Sequence, residues 1–305
     1  MILTIGNINV DLICQVPRLP KPDDKVVVSN LEIVPGGGAC NFAVGLSRLG
    51  TDVSLFGHVG DDQNGKIGLL SLVEENVDVS KVIKEKNQAT GFVIILVDKE
   101  GQTIKIGYRE ANAKLSTSDI SKKLVSKMKI VHASSISANV ALKIAETCKK
   151  NKIISSIDFG GELMNEPKEI LQKIINNYSL IFLNKIAFEK SYGFAPTKES
   201  LEKLELNKST ILNITLGSEG SFIVSNSTIN KIAAYEVPVV DTTGAGDAYA
   251  AGFIHTFQQN KPLIECGNYA TACAALQITL SNARDGMPRK EEVEEFIKEK
   301  NKKLN

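Results

Sequence analysis

Apolar runs rich in Val and Ile alternate with segments of helical period along most of the chain. Runs at 2–5, 53–59, 130–133, 153–158, 180–183, 211–216 and 221–224 read as strands. The patterns at 40–49, 66–75, 140–151 and 167–176 read as helices with one apolar face. This alternation predicts an α/β fold, a largely parallel sheet covered by helices. In such a fold ligands bind beyond the carboxyl ends of the strands, where turns lead into helices.

Two stretches break the alternation. Residues 10–35 carry extended runs at 11–16 and 25–33 around Pro20-Lys21-Pro22-Asp23-Asp24, and 91–108 read as a hairpin turning at Asp98-Lys99-Glu100-Gly101. Neither supplies a crossover helix, so they are either a small separate sheet, a lid over the strand ends, or antiparallel edge strands. The organisation expected is one α/β unit over 1–305 with a lid at 10–35 and 91–108. The terminal run 289–305 alternates Glu and Lys around Val293, Phe296 and Ile297, a solvated helix with one apolar stripe.

Composition narrows the function classes. With 43% hydrophobic and 23% charged residues, the 305-residue chain has an ordinary globular make-up and can bury a sizeable core. Lys and Arg number 36 against 35 Asp and Glu, so no global field recruits nucleic acid or an acidic membrane. Five cysteines with no Cys-x-x-Cys pair, and three scattered histidines, predict reduced thiols and no zinc-type site. There is no basic leader and no 18-residue apolar span, which predicts a cytoplasmic protein.

Two glycine turns carry the chemistry. Residues 241–253 read DTTGAGDAYAAGF and join the extended segment 235–240 to an apolar helix-forming run, placing Gly244, Ala245 and Gly246 where a helix begins. The first amides of a helix lack intrahelical partners and sit at its positive end, a ready site for a phosphoryl group. Asp247 stands beside them, where a carboxylate takes a proton from an attacking hydroxyl or, alternatively, simply complements the helix dipole. The second turn, Gly36-Gly37-Gly38, bares the backbone before another helix whose first turn holds Asn41, a donor and acceptor suited to hydroxyls; a plain hinge is the other reading.

The chain resembles the ribokinase-like sugar kinases, the phosphofructokinase B family. The resemblance rests on Gly6-Asn7-Ile8-Asn9-Val10-Asp11, on the Gly-Gly-Gly-Ala-Cys-Asn run followed by Arg48-Leu49-Gly50, and on 241–253. Supporting matches are Gly57-His58-Val59-Gly60-Asp61-Asp62 with Gly65, Glu110-Ala111-Asn112-Ala113, Asn184, and Thr215-Leu216-Gly217-Ser218-Glu219-Gly220. It implies an ATP-dependent, Mg2+-using kinase in which Asp247 is the catalytic base and the Gly244-Ala245-Gly246 turn the anion hole. Asn9, Asp11, Gly37, Gly38 and Asn41 then match the acceptor pocket, and Asn184, Thr215, Gly217, Gly220, Asn268 and Asn282 the nucleotide side. Asp241 and Thr243 match the oxygen donors of a monovalent-cation site, for an ion such as K+.

Three departures qualify the resemblance. Ala187 stands where members usually carry a Glu near the nucleotide phosphates, with Glu189 two residues later. Gly38 replaces a lysine of ribokinases proper, and Ser135 a glutamate. The expected acceptor is therefore a hexose or nucleoside rather than ribose, with phosphorylated sugars ranked lower, although Lys105 and Arg109 on the lid are cations in reach. A homodimer through the lid is expected, to cover Val26, Val28, Ile94, Leu96, Ile104 and Ile106. The competing functions are a nucleoside kinase on the same fold and a catalytically silent sugar-binding regulator. A dinucleotide oxidoreductase has no support, because Gly6-Asn7-Ile8-Asn9 stands where a Gly-x-Gly-x-x-Gly would follow the first strand.

Overall fold

Strand β1 (Ile2–Gly6) is wholly buried, and its side chains alternate between two apolar cores: Ile2 packs into one, Leu3 and Ile5 into the other. That two-sided burial is what a helix-covered parallel strand requires. The computed structural model describes residues 1–226 and 228–302. After β1 the chain forms β2 (Asn9–Gln15) and β3 (Asn30–Gly36), enters α1 (Gly38–Arg48), and returns as β4 (Val53–Phe56) and β5 (His58–Gly60). Next come α2 (Gln63–Glu74), β6 (Ile83–Glu85) and the hairpin of β7 (Gly91–Val97) and β8 (Thr103–Tyr108). The chain then alternates through α3 (Lys122–Val125), β9 (Ile130–Ser134), α4 (Ala138–Lys150), β10 (Ile154–Asp158), α5 (Lys168–Ile175), β11 (Leu180–Asn184), α6 (Lys185–Tyr192), α7 (Lys198–Leu201) and β12 (Ile211–Thr215). Strands β13 (Ser221–Ser225) and β14 (Ile229–Ile232) precede the last helices, α8 (Ala245–Phe257), α9 (Leu263–Gln277), α10 (Asn282–Asp285) and α11 (Lys290–Lys302).

The large sheet has eight strands in the order β14-β13-β12-β11-β10-β9-β1-β4. Neighbours from β4 to β12 pair in parallel, and only the β12-β13 and β13-β14 contacts are antiparallel. Helices α1, α8 and α9 line the core on one face, and α4, α5 and α6 the core on the other. A smaller sheet, β3-β2-β7-β8, stands apart, with β2 and β7 parallel at its centre. The separate-sheet alternative therefore holds, and the edge-strand alternative does not. No helix among the described residues is long and apolar enough to cross a membrane.

Several expected boundaries move. The run 53–59 is two strands, because Gly57 passes so close to the Gly6 carbonyl (2.5 Å from where a Cβ would lie) that the chain turns out of the sheet and β5 pairs with β6 instead. Pairing in the second extended run begins at Asn30 rather than at 25. Segment 235–240 joins no strand and becomes a wall of a cleft. On the small sheet Val26, Ile94 and Leu96 are half-buried, whereas Val28, Leu31, Ile33, Ile104, Ile106 and Tyr108 are exposed.

Candidate functional site

Helix α8 starts at Gly244, whose φ of 80° is a left-handed conformation glycine adopts without strain. A Cβ there would lie 2.4 Å from the Ala283 carbonyl, so the turn is pressed against α10. Nothing caps the helix through a side chain. Asp247 instead accepts a hydrogen bond at its Oδ2 from Asn41 Nδ2 at 3.0 Å, across 206 residues of sequence. Asp247 also stays in the first turn of α8, where a carboxylate complements the helix dipole, so both readings of this residue remain open. What brings Asp247 and Asn41 together is the packing of α1 on α8, where Gly45 lets the helices close to 2.9 Å between its would-be Cβ and the Ala251 Cβ.

Around Asp247 the strand ends supply more acid than expected. Burial, the neighbouring Asp158 carboxylate at the end of β10 and, opposing them, Asn41 and Arg284 leave the Asp247 carboxyl pushed up to about 7. Burial likewise pushes Asp158 to about 6, and Asp11 to about 6 against the pull of Arg284 and Lys105. A base so raised holds its proton near neutral pH, the range in which proton transfer is most effective.

Asn9, Asp11, Gly37, Gly38 and Asn41 gather on the same side. Asn112 fixes Asn9 by donating to its Oδ1 at 2.7 Å, and also grips the Ile8 backbone, accepting from its N–H at 3.0 Å and donating to its carbonyl at 3.2 Å. A Cβ on Gly38 would stand 2.6 Å from Ser134 Oγ and 3.3 Å from both Ser135 Oγ and Asp247 Oδ1, so the bare residue keeps that oxygen accessible. Arg109 pairs with Glu162 at the rim, and its Nε is buried without a partner.

On the other side of Asp247 lies a cleft of about 580 Å³ lined by Thr215, Gly217, Gly220, Tyr235, Ala245 and Gly246. Ala245 and Gly246 of the glycine turn thus line this cleft, and the next residue, Asp247, is bonded to Asn41. Val237, Val239, Ala274 and Ile278 give the far wall an apolar character suited to a planar base. Asn184 is exposed and accepts from the Ala187 N–H at 2.8 Å, an N-cap of α6 outside the cleft lining. Asn268 does not belong with this group. It is exposed in a second cleft with His255, Lys261 and Tyr269, less than one turn of α9 before Thr271, which lines the first.

Asn282 joins neither pocket wall. Its N–H donates to Asp241 Oδ2 at 3.1 Å, while Asp241 Oδ1 accepts from the Thr243 N–H and hydroxyl at 2.9 and 2.7 Å. Gln277 Nε2 donates to the Thr243 and Asn282 carbonyls at 2.9 and 2.7 Å, and Gln277 Oε1 is buried with no partner. This concentration of oxygens, one of them orphaned, fits a hard monovalent cation. No group of three or more His, Cys, Asp or Glu that could hold a metal occurs among the described residues. Ala187 is buried, and the first turn of α6 holds no acidic residue, so only the half-buried Glu189 offers a carboxylate on that helix.

Sequence reasoning missed Asp158 and Arg284. A carboxylate at the carboxyl end of a parallel strand is a recognisable signal for Asp158; no comparable signal marks Arg284, which lies in a four-residue helix.

The pattern defining pfkB family carbohydrate kinases matches residues 1–290. An ATP-dependent ribose-1-phosphate kinase of Halopiger xanaduensis is 27% identical, covering 98% of both chains. The crystal structure of a nucleoside kinase of Methanocaldococcus jannaschii, an archaeal member of the ribokinase family, superposes with a TM-score of 0.83 at 27% identity, over 98% of each chain. The structure of Arabidopsis thaliana ribokinase with ribose and ATP gives 0.85 at 25% identity, over 97% of this chain and 98% of that one.

Proposed function

From the premise that this chain belongs to the pfkB family of carbohydrate kinases, we propose that it transfers the γ-phosphoryl group of ATP to a hydroxyl of a sugar or nucleoside, with Asp247 as the base. The observation that carries the reading is the position of Asp247, which directly follows Ala245 and Gly246 of the cleft lining and is hydrogen-bonded to Asn41 at the start of α1.

ATP lies in the cleft beside Tyr235 and Val237, its phosphates directed at the amides of Gly246 and Asp247. Asp11 and Asn41 hold acceptor hydroxyls, and Asp247 takes the proton of the one that attacks. The oxygen–γ-phosphorus bond forms, the bond to the bridging oxygen breaks, and ADP leaves with that oxygen. The helix amides stabilise charge on the transferring group. Magnesium arriving with the nucleotide would supply charge neutralisation for its phosphates, and a monovalent cation would be held by Asp241, Thr243 and the Asn282 carbonyl. The small sheet acts as a lid excluding water, and the working location is the cytoplasm.

The missing side chain at Gly38 and the short Ser135, where ribokinases proper carry a lysine and a glutamate, support an acceptor larger than ribose. Nucleosides are the second reading, favoured by the likeness to the Methanocaldococcus nucleoside kinase. The acceptor motifs at 6–11 and 36–41 carry no lysine or arginine, which leaves phosphorylated sugars lower in rank. The test is kcat/KM with ATP and Mg2+ across pentoses, hexoses, pentose and hexose phosphates and nucleosides. A hexose or nucleoside is expected to lead. Ribose ahead by about tenfold, ~1.4 kcal/mol of transition-state preference, contradicts the acceptor assignment, and silence across the panel contradicts the kinase reading.

A further inference from the structure

Behind the base stands a buried arginine that the proposed reaction has not used. Arg284 is 9% exposed and reaches from α10 to three other elements. Its Nε–H donates to Asn41 Oδ1 at 2.9 Å, Nη1 to Ser71 Oγ at 3.2 Å, and Nη2 to the Gly36 carbonyl at 3.3 Å. All three acceptors are neutral. The carboxylates facing the guanidinium, Asp11, Asp247 and Glu75, act from beyond hydrogen-bonding contact, and the Cys40 thiol beside it is held neutral, pushed up to about 12 by burial. Burying a guanidinium without a directly bonded carboxylate is expensive, and a simple packing role would be served as well by an apolar side chain.

The donor inventory gives the arrangement a direction. Arginine only donates, so the Asn41 amide must turn its oxygen toward Arg284 and its NH2 group toward Asp247. One N–H of that group then occupies Asp247 Oδ2 at 3.0 Å. Asp247 Oδ1, next to the bare Gly38, stays open toward the acceptor side. We propose that Arg284 is a positioning residue for the base: through Asn41 it fixes which carboxylate oxygen of Asp247 receives the acceptor's proton. The proposal rests on the kinase reading above.

The mount of Arg284 supports a fixed geometry. Its own carbonyl and that of Met287 accept from Arg48 Nη1 at 2.7 Å each, and Arg48 is clamped to Glu75 at 2.5 and 3.0 Å. The helix it occupies starts at the residue whose N–H holds Asp241. The groups facing Asp247 are Asp158, Asn41 and Arg284, and those facing Asp11 are Arg284 and Lys105, so Arg284 is the cation common to both acids.

The test compares wild type, R284Q, R284K and D247N in kcat and in the pH profile of kcat/KM. R284Q is expected to lose about tenfold or more in kcat and to move the acid limb upward by about one pH unit, since the base loses its nearest positive charge. R284K keeps the charge but not the fixed fork, so its acid limb should stay in place while kcat falls by about threefold or more. An unmoved acid limb in R284Q, or full kcat in R284K, overturns the proposal. If R284Q does not fold, R284K decides alone by its kcat. An active D247N would sink the base assignment itself, whereas an inactive D247N beside an unaltered R284Q sinks only the role of Arg284.

Discussion

Removing the charge of Asp247 should make the protein more stable at the pH where it destroys activity. The folded state holds the Asp247 carboxyl at about 7, against about 3.9 in an unfolded chain. Folding therefore binds this proton more tightly, and stability falls as pH rises from about 4 through about 7, with the full penalty present above that. At ~1.4 kcal/mol per unit the shift has an upper bound of about 4 kcal/mol, and water at the pocket rim reduces this to about 1–2 kcal/mol. Asp247→Asn keeps the shape and can still accept from Asn41 Nδ2, while no longer facing Asp158 as a second anion. The variant should gain about 1–2 kcal/mol over wild type at pH 8 in urea unfolding, and the gain should shrink steadily toward pH 4. Asp11 remains in both proteins and largely cancels, while Asp158, relieved of its anionic neighbour in the variant, adds to the gain at pH 8. A variant less stable than wild type at pH 8 by about 1 kcal/mol, as expected for a lost dipole interaction at a helix start, would refute the reasoning.

Two further outcomes follow from the same geometry. Gly244→Ala must place a Cβ 2.4 Å from the Ala283 carbonyl at a φ of 80°, so a loss of about 2 kcal/mol or more is expected in thermal unfolding, and an unchanged Tm contradicts the turn geometry. The exposed Leu31, Ile33, Ile104 and Ile106 on the small sheet predict a homodimer by sedimentation at micromolar protein, and Ile106→Glu should return it to monomer; a wild-type monomer refutes the lid interface.

Much of this was legible in the sequence because its signals are local. The period of Val- and Ile-rich runs located the large sheet, since buried parallel strands must be apolar on both faces, and the glycine-rich starts of α1 and α8 marked the two ends of the site. What escaped depends on tertiary placement. Asp158 follows an unremarkable strand, and its meaning arises only when β10 ends beside α8. Arg284 lies in a polar stretch that resembles surface, and only the closure of α10 on α1 buries it. Asn268 was assigned to the nucleotide side, yet it lines the second cleft, less than one turn of α9 before Thr271 of the first. Segment 235–240 is extended but adds no strand to the sheet; it runs along the cleft wall, with the Val240 N–H donating to the Ile278 carbonyl at 2.8 Å.

The central claim is that Asp247 removes the proton from an acceptor hydroxyl as phosphate is transferred. The most direct measurement is kcat for Asp247→Asn against wild type, with ATP, Mg2+ and the best acceptor of the panel, at pH 8 where the wild-type carboxylate is ionised. The account predicts a fall of about 10²–10⁴ with the KM for ATP little changed. Turnover within a few-fold of wild type would contradict it.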